Sequence, residues 1–153
     1  MKPHIVTPIG SVHHERELFT ITVTDMYRQG LQQLNTFSHI LVLWWCHQTD
    51  SESQRMVTVC EKPYHQGPDK VGVFATRSAI RPNPIAVTIV PVLSVDVALG
   101  TIHIPYIDAE DGSPVLDIKP YLPCSERVRE AKFPEWCAHW PSWYEENPMF
   151  NLS

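Results

Sequence analysis

Residues 37–46 (FSHILVLWWC) form the segment that most restricts the fold of this chain of 153 residues. The run has the length of a strand, and apolar side chains occupy both alternating faces, with Leu41 and Leu43 on one and Val42 and Trp44 on the other. Such a strand is buried on both faces, or its outer face is covered by a partner. We therefore expect a buried strand at this segment.

The proline content favours strands and loops over a helical bundle. The chain has 14 prolines against 6 glycines, and proline is excluded from helix interiors and from central sheet ladders. Segments rich in β-branched or alternating apolar residues predict further strands, at residues 5–12, 18–24, 85–97, 100–107 and 115–123. The helical signals are short, at residues 25–34 and 125–132. A mainly β fold follows.

Charge and hydropathy exclude some classes of protein. The formal net charge of −5 argues against a protein that coats nucleic acid nonspecifically. Positive charge is nevertheless concentrated between positions 62 and 95, where Lys62, Lys70, Arg77 and Arg81 outnumber Asp69. No apolar run approaches the roughly 18 residues that span a bilayer, and the first residues lack a signal-peptide core. We expect a cytoplasmic protein without a membrane partner.

The cysteines and histidines do not have the spacing of a metal site. Cys46, Cys60, Cys124 and Cys137 lie far apart and form no CxxC pair, which favours buried or incidental thiols over a disulfide framework. The eight histidines include no HExxH motif. We predict no structural metal.

The least generic segment is the stretch 72–87, which reads GVFATRSAIRPNPIAV. Its two prolines fix two φ angles and hold the preceding residues, Arg81 and Asn83, extended, so the loop is stiff. A stiff loop that displays Arg77, Arg81 and Asn83 loses little entropy when it binds a planar or anionic ligand. The alternative is a proline-rich crossover whose arginines pair with surface carboxylates.

Polar residues near two predicted strands are further candidates. His47 lies at the exit of the central strand, where side chains emerge from a core into a site, whereas His39 fits a structural role. Asp117 and Lys119 share one face of the strand predicted at 115–123. They form either a surface ion pair, which is worth little, or a positioned acid and base at a pocket rim.

Trp136, Trp140 and Trp143 stand within eight residues of a proline-broken tail. Because three indoles would be unfavourable in water, we expect the tail to pack on the sheet or on a second subunit. A platform on which nucleobases stack is the alternative, and the negative charge of the tail disfavours it.

Three segments, in this order, resemble motifs of the TsaA-like (TrmO) family of S-adenosylmethionine-dependent tRNA methyltransferases. They are LNTFSHILVLWWCH, GVFATRSAIRPNPIAV and DGSPVLDIKPY, within a resemblance that runs from Pro8 to Tyr121. The resemblance implies a compact single-sheet β-barrel with short peripheral helices, often dimeric, which binds S-adenosylmethionine without a Rossmann domain. The absence of a GxGxxG motif agrees with it. We assign residues 1–123 to this domain and 124–153 to a tryptophan-rich extension.

The resemblance also implies roles for individual residues. Cofactor contacts would fall on eight positions, namely His47, Gln48, Arg77, Val87, Asp108, Ala109, Glu110 and Asp111. Arg77 would pair with the methionine carboxylate, Asp108 would bind ribose hydroxyls or offset the sulfonium charge, and Val87 would hold adenine. The substrate side, with the candidate catalytic residues, would comprise Arg81, Asn83, Asp117, Lys119 and Tyr121.

The implied reaction transfers a methyl group to the exocyclic nitrogen of threonylcarbamoyladenosine beside the tRNA anticodon, in a homodimer. That nitrogen is a poor nucleophile because its lone pair is delocalised, so the reaction needs in-line positioning and a base such as Asp117 or Tyr121. The arginine- and glutamine-containing segment that many members carry after PIG is not recognisable in residues 11–23. Two alternatives stay open: a methyltransferase for another, small acceptor, and a non-catalytic S-adenosylmethionine- or nucleotide-binding module.

Overall fold

The computed structural model describes residues 2–15 and 18–147. Within them the chain forms nine strands, β1 (Gly10–Glu15), β2 (Leu18–Val23), β3 (His39–Trp45), β4 (Val59–Glu61), β5 (Lys70–Gly72), β6 (Ile85–Pro91), β7 (Ser94–Asp96), β8 (Thr101–Ile104) and β9 (Pro114–Pro120). The α-helices are single turns, α1 (Glu52–Arg55) and α2 (Pro123–Glu126). Short 3₁₀ helices span Asp25–Leu31, Leu34–Thr36, His47–Thr49, Val73–Ala75, Glu135–Cys137 and Tyr144–Glu146. None of the helices in this part of the chain is long and apolar enough to cross a membrane.

Seven of the strands form one antiparallel sheet in the order β6-β3-β9-β1-β2-β8-β7, and β4 and β5 form a separate hairpin. Strand β3, formed by the most apolar segment, lies between β6 and β9. In the described residues β6 and β7 remain at the two edges of the sheet. The mainly β fold with short helices is therefore confirmed, whereas closure into a barrel is not.

The core lies against one face of the sheet. Val12, Ile21, Ile40, Val42 and Ile102 are completely buried there. Burial of each such side chain contributes about 1.5–3 kcal/mol. These residues come from β1, β2, β3 and β8, so the core fixes the register of the sheet, because a slip of one residue would turn them outward.

The opposite, outer face of β3 is only half-buried. Leu41 and Leu43 alternate there with the buried residues of the strand. Asp117 and Lys119 of β9 pair with Leu43 and Leu41, and therefore lie on the same face. The pairing of β3 with β9 shifts register after Leu43, where Trp44 faces Val115. This bulge turns Asp117 outward although Val115, two residues earlier, points into the core.

The segment after α2 packs against two parts of the sheet domain. The hydroxyl of Tyr144 donates to the carbonyl of Ile89 on edge strand β6 (2.9 Å), and its ring contacts His39 at a centroid distance of 5.9 Å. Trp136 stacks on Tyr64 in the loop between β4 and β5. The segment thus contacts both an edge of the sheet and the hairpin.

Candidate functional site

The end of β3 is tied to the proline loop by main-chain and side-chain hydrogen bonds. The amide of Cys46 donates to the carbonyl of Pro84 (2.8 Å), and the hydroxyl of Thr49 donates to the carbonyl of Ala79 (3.3 Å). Between these anchors lies the 3₁₀ turn that carries His47 and Gln48, both exposed. The two predicted segments therefore meet at one end of the sheet.

Hydrogen bonds within the proline loop hold its shape. The hydroxyl of Thr76 donates to the carbonyl of Val73 (2.8 Å) and accepts from the amide of Ser78 (3.2 Å). Arg81 is half-buried, and its guanidinium donates to the carbonyls of Thr76 and Ser78 (3.3 and 3.4 Å). Arg81 thus braces the loop, in addition to any role that the resemblance gives it.

Arg77, in contrast, is exposed. Among the described residues its guanidinium has no hydrogen-bond or ion-pair partner, and the ion pairs there include neither Arg77 nor Arg81. The alternative in which the loop arginines pair with surface carboxylates therefore finds no support. A free guanidinium on a braced loop suits an anionic ligand.

Asp108 is held beside this loop by a buried hydroxyl. The hydroxyl of Thr88 on β6 donates to Asp108 Oδ1 (2.7 Å) and accepts from the indole Nε1 of Trp44 (3.1 Å). Trp44 and Thr88 are 6% and 5% exposed, whereas Asp108 is exposed. The carboxylate thus has a fixed inner side and an open outer side.

A second buried hydroxyl contacts the turn after β3. Ser113 is completely buried, and its hydroxyl lies 3.3 Å from His47 Nδ1. Ser113 and Thr88 are the two polar side chains classed as buried in the part of the chain that the structure describes. Both contact a residue that the resemblance assigns to the cofactor, although neither Thr88 nor Ser113 was singled out from the sequence as a site residue. The sequence signal that could have identified Thr88 is that it is the one polar residue in the apolar run Ile85–Pro91.

Charges from Asp108 and Arg81 reach the thiol of Cys46. Burial raises the pKa of this thiol, the negative charge of Asp108 raises it further, and Arg81 opposes the effect. Burial also raises the pKa of Tyr106, with a smaller contribution from Asp108. Cys46 therefore stays a neutral thiol at neutral pH, and Asp108 contributes a negative charge near the end of β3.

The other residues of the 108–111 segment do not lie together. Ala109 is 2% exposed and belongs to the core. Glu110 is exposed, and its carbonyl accepts from the amide of Ser113. Asp111 accepts from the amide of His14 on β1 (2.9 Å). The segment thus contacts β6 through Asp108 and β1 through Asp111.

Three more predicted residues lie on the outer face of the sheet. Val87, Leu43 and Asp117 form one cross-strand row, in which Val87 is 40% exposed. Lys119 Nζ lies 2.6 Å from Asp117 Oδ2, and this hydrogen bond raises the pKa of Lys119. The surface ion pair considered from the sequence is therefore present. Val87 and Thr88 point to opposite faces of β6, so Val87 and Asp108 do not converge directly within one chain.

The remaining two predicted residues occupy different places. Asn83 is exposed on the proline loop, and its carbonyl accepts from the amide of Ile85 (2.7 Å). Tyr121 bonds through its amide to the carbonyl of His39, at the start of β3. Because β3 rises about 3.4 Å per residue, Tyr121 lies roughly 20 Å from His47 at its other end.

The basic character expected around the loop is reduced by pairing. Lys62 lies 3.2 Å from Asp69, and Lys70 lies 3.6 Å from Glu61 in the β4–β5 hairpin. Exposed pairs of this kind are weak but cancel charge locally. The described residues contain no cluster of three or more His, Cys, Asp or Glu placed to hold a metal, and their four cysteines are free thiols.

Comparison with known proteins adds independent information. The family model described as the tRNA-methyltransferase O N-terminal domain matches residues 2–127. An S-adenosyl-L-methionine-binding protein of Archaeoglobus fulgidus is 38% identical over 103 residues, which cover 67% of this chain and 68% of that protein. The tRNA (adenine(37)-N6)-methyltransferase of Escherichia coli is 39% identical over 109 residues, which cover 67% of this chain and 43% of the enzyme.

Solved structures give the same result. A crystal structure of TrmO matches with a TM-score of 0.69 at 28% identity, over 86% of this chain and 64% of that one. TrmO from Pseudomonas aeruginosa matches with a TM-score of 0.66 at 29% identity, over 86% of this chain and 61% of that one. The chain therefore spans less than two thirds of these structures and less than half of the bacterial enzyme.

Proposed function

This chain belongs to the family of the tRNA-methyltransferase O N-terminal domain, and from that premise we propose that it is an S-adenosylmethionine-dependent methyltransferase of tRNA adenine. The observation that carries the proposal is the meeting of the β3 exit with the braced proline loop. Arg77 on this loop is exposed and has no partner among the described residues, and Asp108, whose charge reaches Cys46 at the β3 exit, has its carboxylate held from within by Thr88.

These residues fit the chemical groups of the proposed cofactor. S-adenosylmethionine has a carboxylate that suits the guanidinium of Arg77, and ribose hydroxyls and a sulfonium that suit the carboxylate of Asp108. His47 and Gln48 would contact it from the turn after β3. Bound there, the cofactor supplies an electrophilic methyl group.

Val87 lies on the edge strand β6, on the opposite face from Thr88, which holds Asp108. A ligand held at Asp108 would contact a Val87 side chain in one of two ways. It would extend around the edge of β6, or it would reach Val87 of a second copy of the chain. The apolar outer face, where Ile85 and Val87 are each 40% exposed, favours the second copy. We propose a homodimer in which this face is covered, with Leu43 near its centre.

For the transfer step we propose that positioning contributes more than proton abstraction. The acceptor nitrogen is conjugated, and the effective molarity of an aligned donor can supply much of the acceleration. Asp117 remains the candidate base, with Lys119 holding its carboxylate in place. Tyr121 is distant from the β3 exit in one chain, so its proposed catalytic role requires the second copy.

Calorimetry and a methyl-transfer assay test the proposal. Wild-type protein should bind S-adenosylmethionine saturably and transfer its methyl group to tRNA that carries threonylcarbamoyladenosine. Arg77→Ala should abolish measurable binding, whereas Lys70→Ala, which removes a paired and exposed cation, should leave it unchanged. Well-folded wild-type protein that binds no cofactor, with or without tRNA, would overturn the proposal.

A second candidate function is cofactor binding without transfer to tRNA. Two observations favour it: the net charge of −5 and the archaeal relative named as an S-adenosyl-L-methionine-binding protein, whose length this chain covers better than that of the enzyme. Saturable cofactor binding without methylation of tRNA would support this candidate. Binding of tRNA that weakens steeply with salt would support the methyltransferase.

A further inference from the structure

Trp44, Thr88 and Asp108 form a hydrogen-bond chain from the core to the candidate site. The indole Nε1 of Trp44 lies 3.1 Å from Thr88 Oγ1, which lies 2.7 Å from Asp108 Oδ1. The first two side chains are 6% and 5% exposed, and the third is exposed. Trp44 and Thr88 are therefore fixed by packing, whereas Asp108, at the other end of the hydrogen-bonded series, faces solvent.

The donor and acceptor of each of these two hydrogen bonds follow from the chemistry of the three side chains. The indole of Trp44 can only donate, so the oxygen of Thr88 must accept from it. The hydroxyl hydrogen of Thr88 is then available to Asp108, whose Oδ1 accepts it as an ionised carboxylate. A bond to a charged acceptor is about twice as strong as a bond between neutral groups.

We propose that Thr88 is a positioning residue for Asp108, whose carboxylate its hydroxyl holds in the orientation that meets S-adenosylmethionine. This inference rests on the proposed function and extends it to a residue that does not contact the cofactor. The second carboxylate oxygen, Oδ2, has no hydrogen-bond partner among the described residues, so it is the oxygen offered to the ligand. Fixing the rotamer in advance lowers the entropy cost of binding.

A purely structural role is the competing explanation, because Thr88 also satisfies the buried indole of Trp44. The two roles separate when both buried partners are removed. Trp44→Phe with Thr88→Val leaves no indole N–H without an acceptor, so it restores most of the stability that Thr88→Val alone loses. If Thr88 positions Asp108, the double variant still binds the cofactor weakly.

The test measures S-adenosylmethionine affinity by calorimetry together with the free energy of unfolding of each variant. Thr88→Val should weaken binding about tenfold, as expected for loss of one hydrogen bond to a charged group, and Thr88→Ser should bind like wild type. The matched control is Thr20→Val on β2, which removes a hydroxyl that contacts His103 Nδ1 (3.0 Å) on the outer face. That control should not change affinity.

Coupling between Thr88 and Asp108 provides the decisive comparison. In an Asp108→Asn background, Thr88→Val should weaken binding by less than about twofold, because the bond it would break no longer has a charged acceptor. Folded Thr88→Val protein that binds as wild type does would overturn the inference and leave the proposed function intact. Failure of wild-type protein to bind would overturn both. If Thr88→Val does not fold, the double variant with Trp44→Phe decides between the same outcomes.

Discussion

Trp136 lies flat on Tyr64, with ring centroids 5.0 Å apart and planes inclined by 25°. Trp140 meets the same tyrosine ring edge-on at 5.2 Å. Tyr64 belongs to the loop between β4 and β5, and β5 leads directly into the proline loop. The contact therefore connects the tryptophan-rich segment to one end of the candidate site.

Trp136→Ala should destabilise the protein by about 2 kcal/mol, because it removes a half-buried indole from an aromatic cluster. Trp143→Ala is the matched control, since that indole is 56% exposed and contacts Arg127 at 5.4 Å. It should change the unfolding free energy by less than about 0.5 kcal/mol. Urea denaturation measures both values, and equal losses would show that the stacking on Tyr64 is not stabilising.

Arg81 and Arg77 should respond differently to the same substitution. Arg81→Ala removes the donor to two loop carbonyls, so it should cost about 1–2 kcal/mol of stability. Arg77→Ala should change stability by less than about 0.5 kcal/mol while it abolishes cofactor binding. Denaturation and calorimetry on the same samples separate the two effects. A loss of stability in Arg77→Ala as large as that in Arg81→Ala would contradict this division of roles.

The sequence predicted the strands whose burial decides their position. The apolar runs at 37–46 and 85–97 contain β3 (His39–Trp45) and β6 (Ile85–Pro91). The predicted extent of the first strand was wrong, because residues 5–12 were expected and β1 spans Gly10–Glu15. Its bounds depend on pairing with β2 and β9, which lies outside any local pattern.

Helix ends show the same limit. A helix over residues 125–132 was expected, but α2 spans Pro123–Glu126. Proline fits the first helical position because its missing N–H is not needed there, and Leu122 precedes it as the cap residue.

The site could be predicted in its chemistry but not in its contacts. Arg77 and Arg81 are the same residue type in the same loop, four positions apart, yet one is exposed and the other braces the loop. That difference arises when the loop closes on its own carbonyls. The contact between Thr88 and Asp108 likewise joins the middle of β6 to the loop between β8 and β9, 20 residues further along the chain, which no sequence spacing indicates.

Acid should destabilise the protein partly through Asp50. Its carboxylate pairs with Arg55 and accepts from the indole of Trp45 (2.8 Å), and these bonds, that from Arg55 first, hold the pKa of Asp50 below its ordinary value. A carboxyl whose pKa is lower in the folded than in the unfolded protein stabilises the fold above its unfolded pKa, about 3.9. That contribution is lost as the pH falls through the folded pKa.

Asp50→Asn should therefore flatten the decline of the melting temperature below about pH 4, because its amide does not titrate. Glu61→Gln serves as the control, since its carboxylate pairs with Lys70 on an exposed hairpin. Thermal denaturation between neutral and acidic pH measures the slopes. An Asp50→Asn slope equal to that of wild type would show that this carboxyl does not contribute to acid sensitivity.

Gly100 and Gly112 separate backbone strain from steric overlap. Both have positive φ, +71° and +76°, where alanine costs about 1–2 kcal/mol. A Cβ on Gly100 would also lie 2.6 Å from the carbonyl oxygen of Val23, whereas one on Gly112 meets open space. Because the amide of Val23 donates to the carbonyl of Gly100 (2.7 Å), this backbone contact cannot relax without breaking the bond.

Gly112→Ala should therefore lose about 1–2 kcal/mol from strain alone, and Gly100→Ala at least about 1 kcal/mol more. Urea denaturation measures the free energy of unfolding of both variants. Because each replaces glycine by alanine, the effect of the substitution on the unfolded chain is the same in both and drops out of the difference. Equal losses would mean that the turn between β7 and β8 moves away from β2 at little cost. A larger loss for Gly100→Ala would show that close packing against β2, in addition to φ, requires glycine at this position.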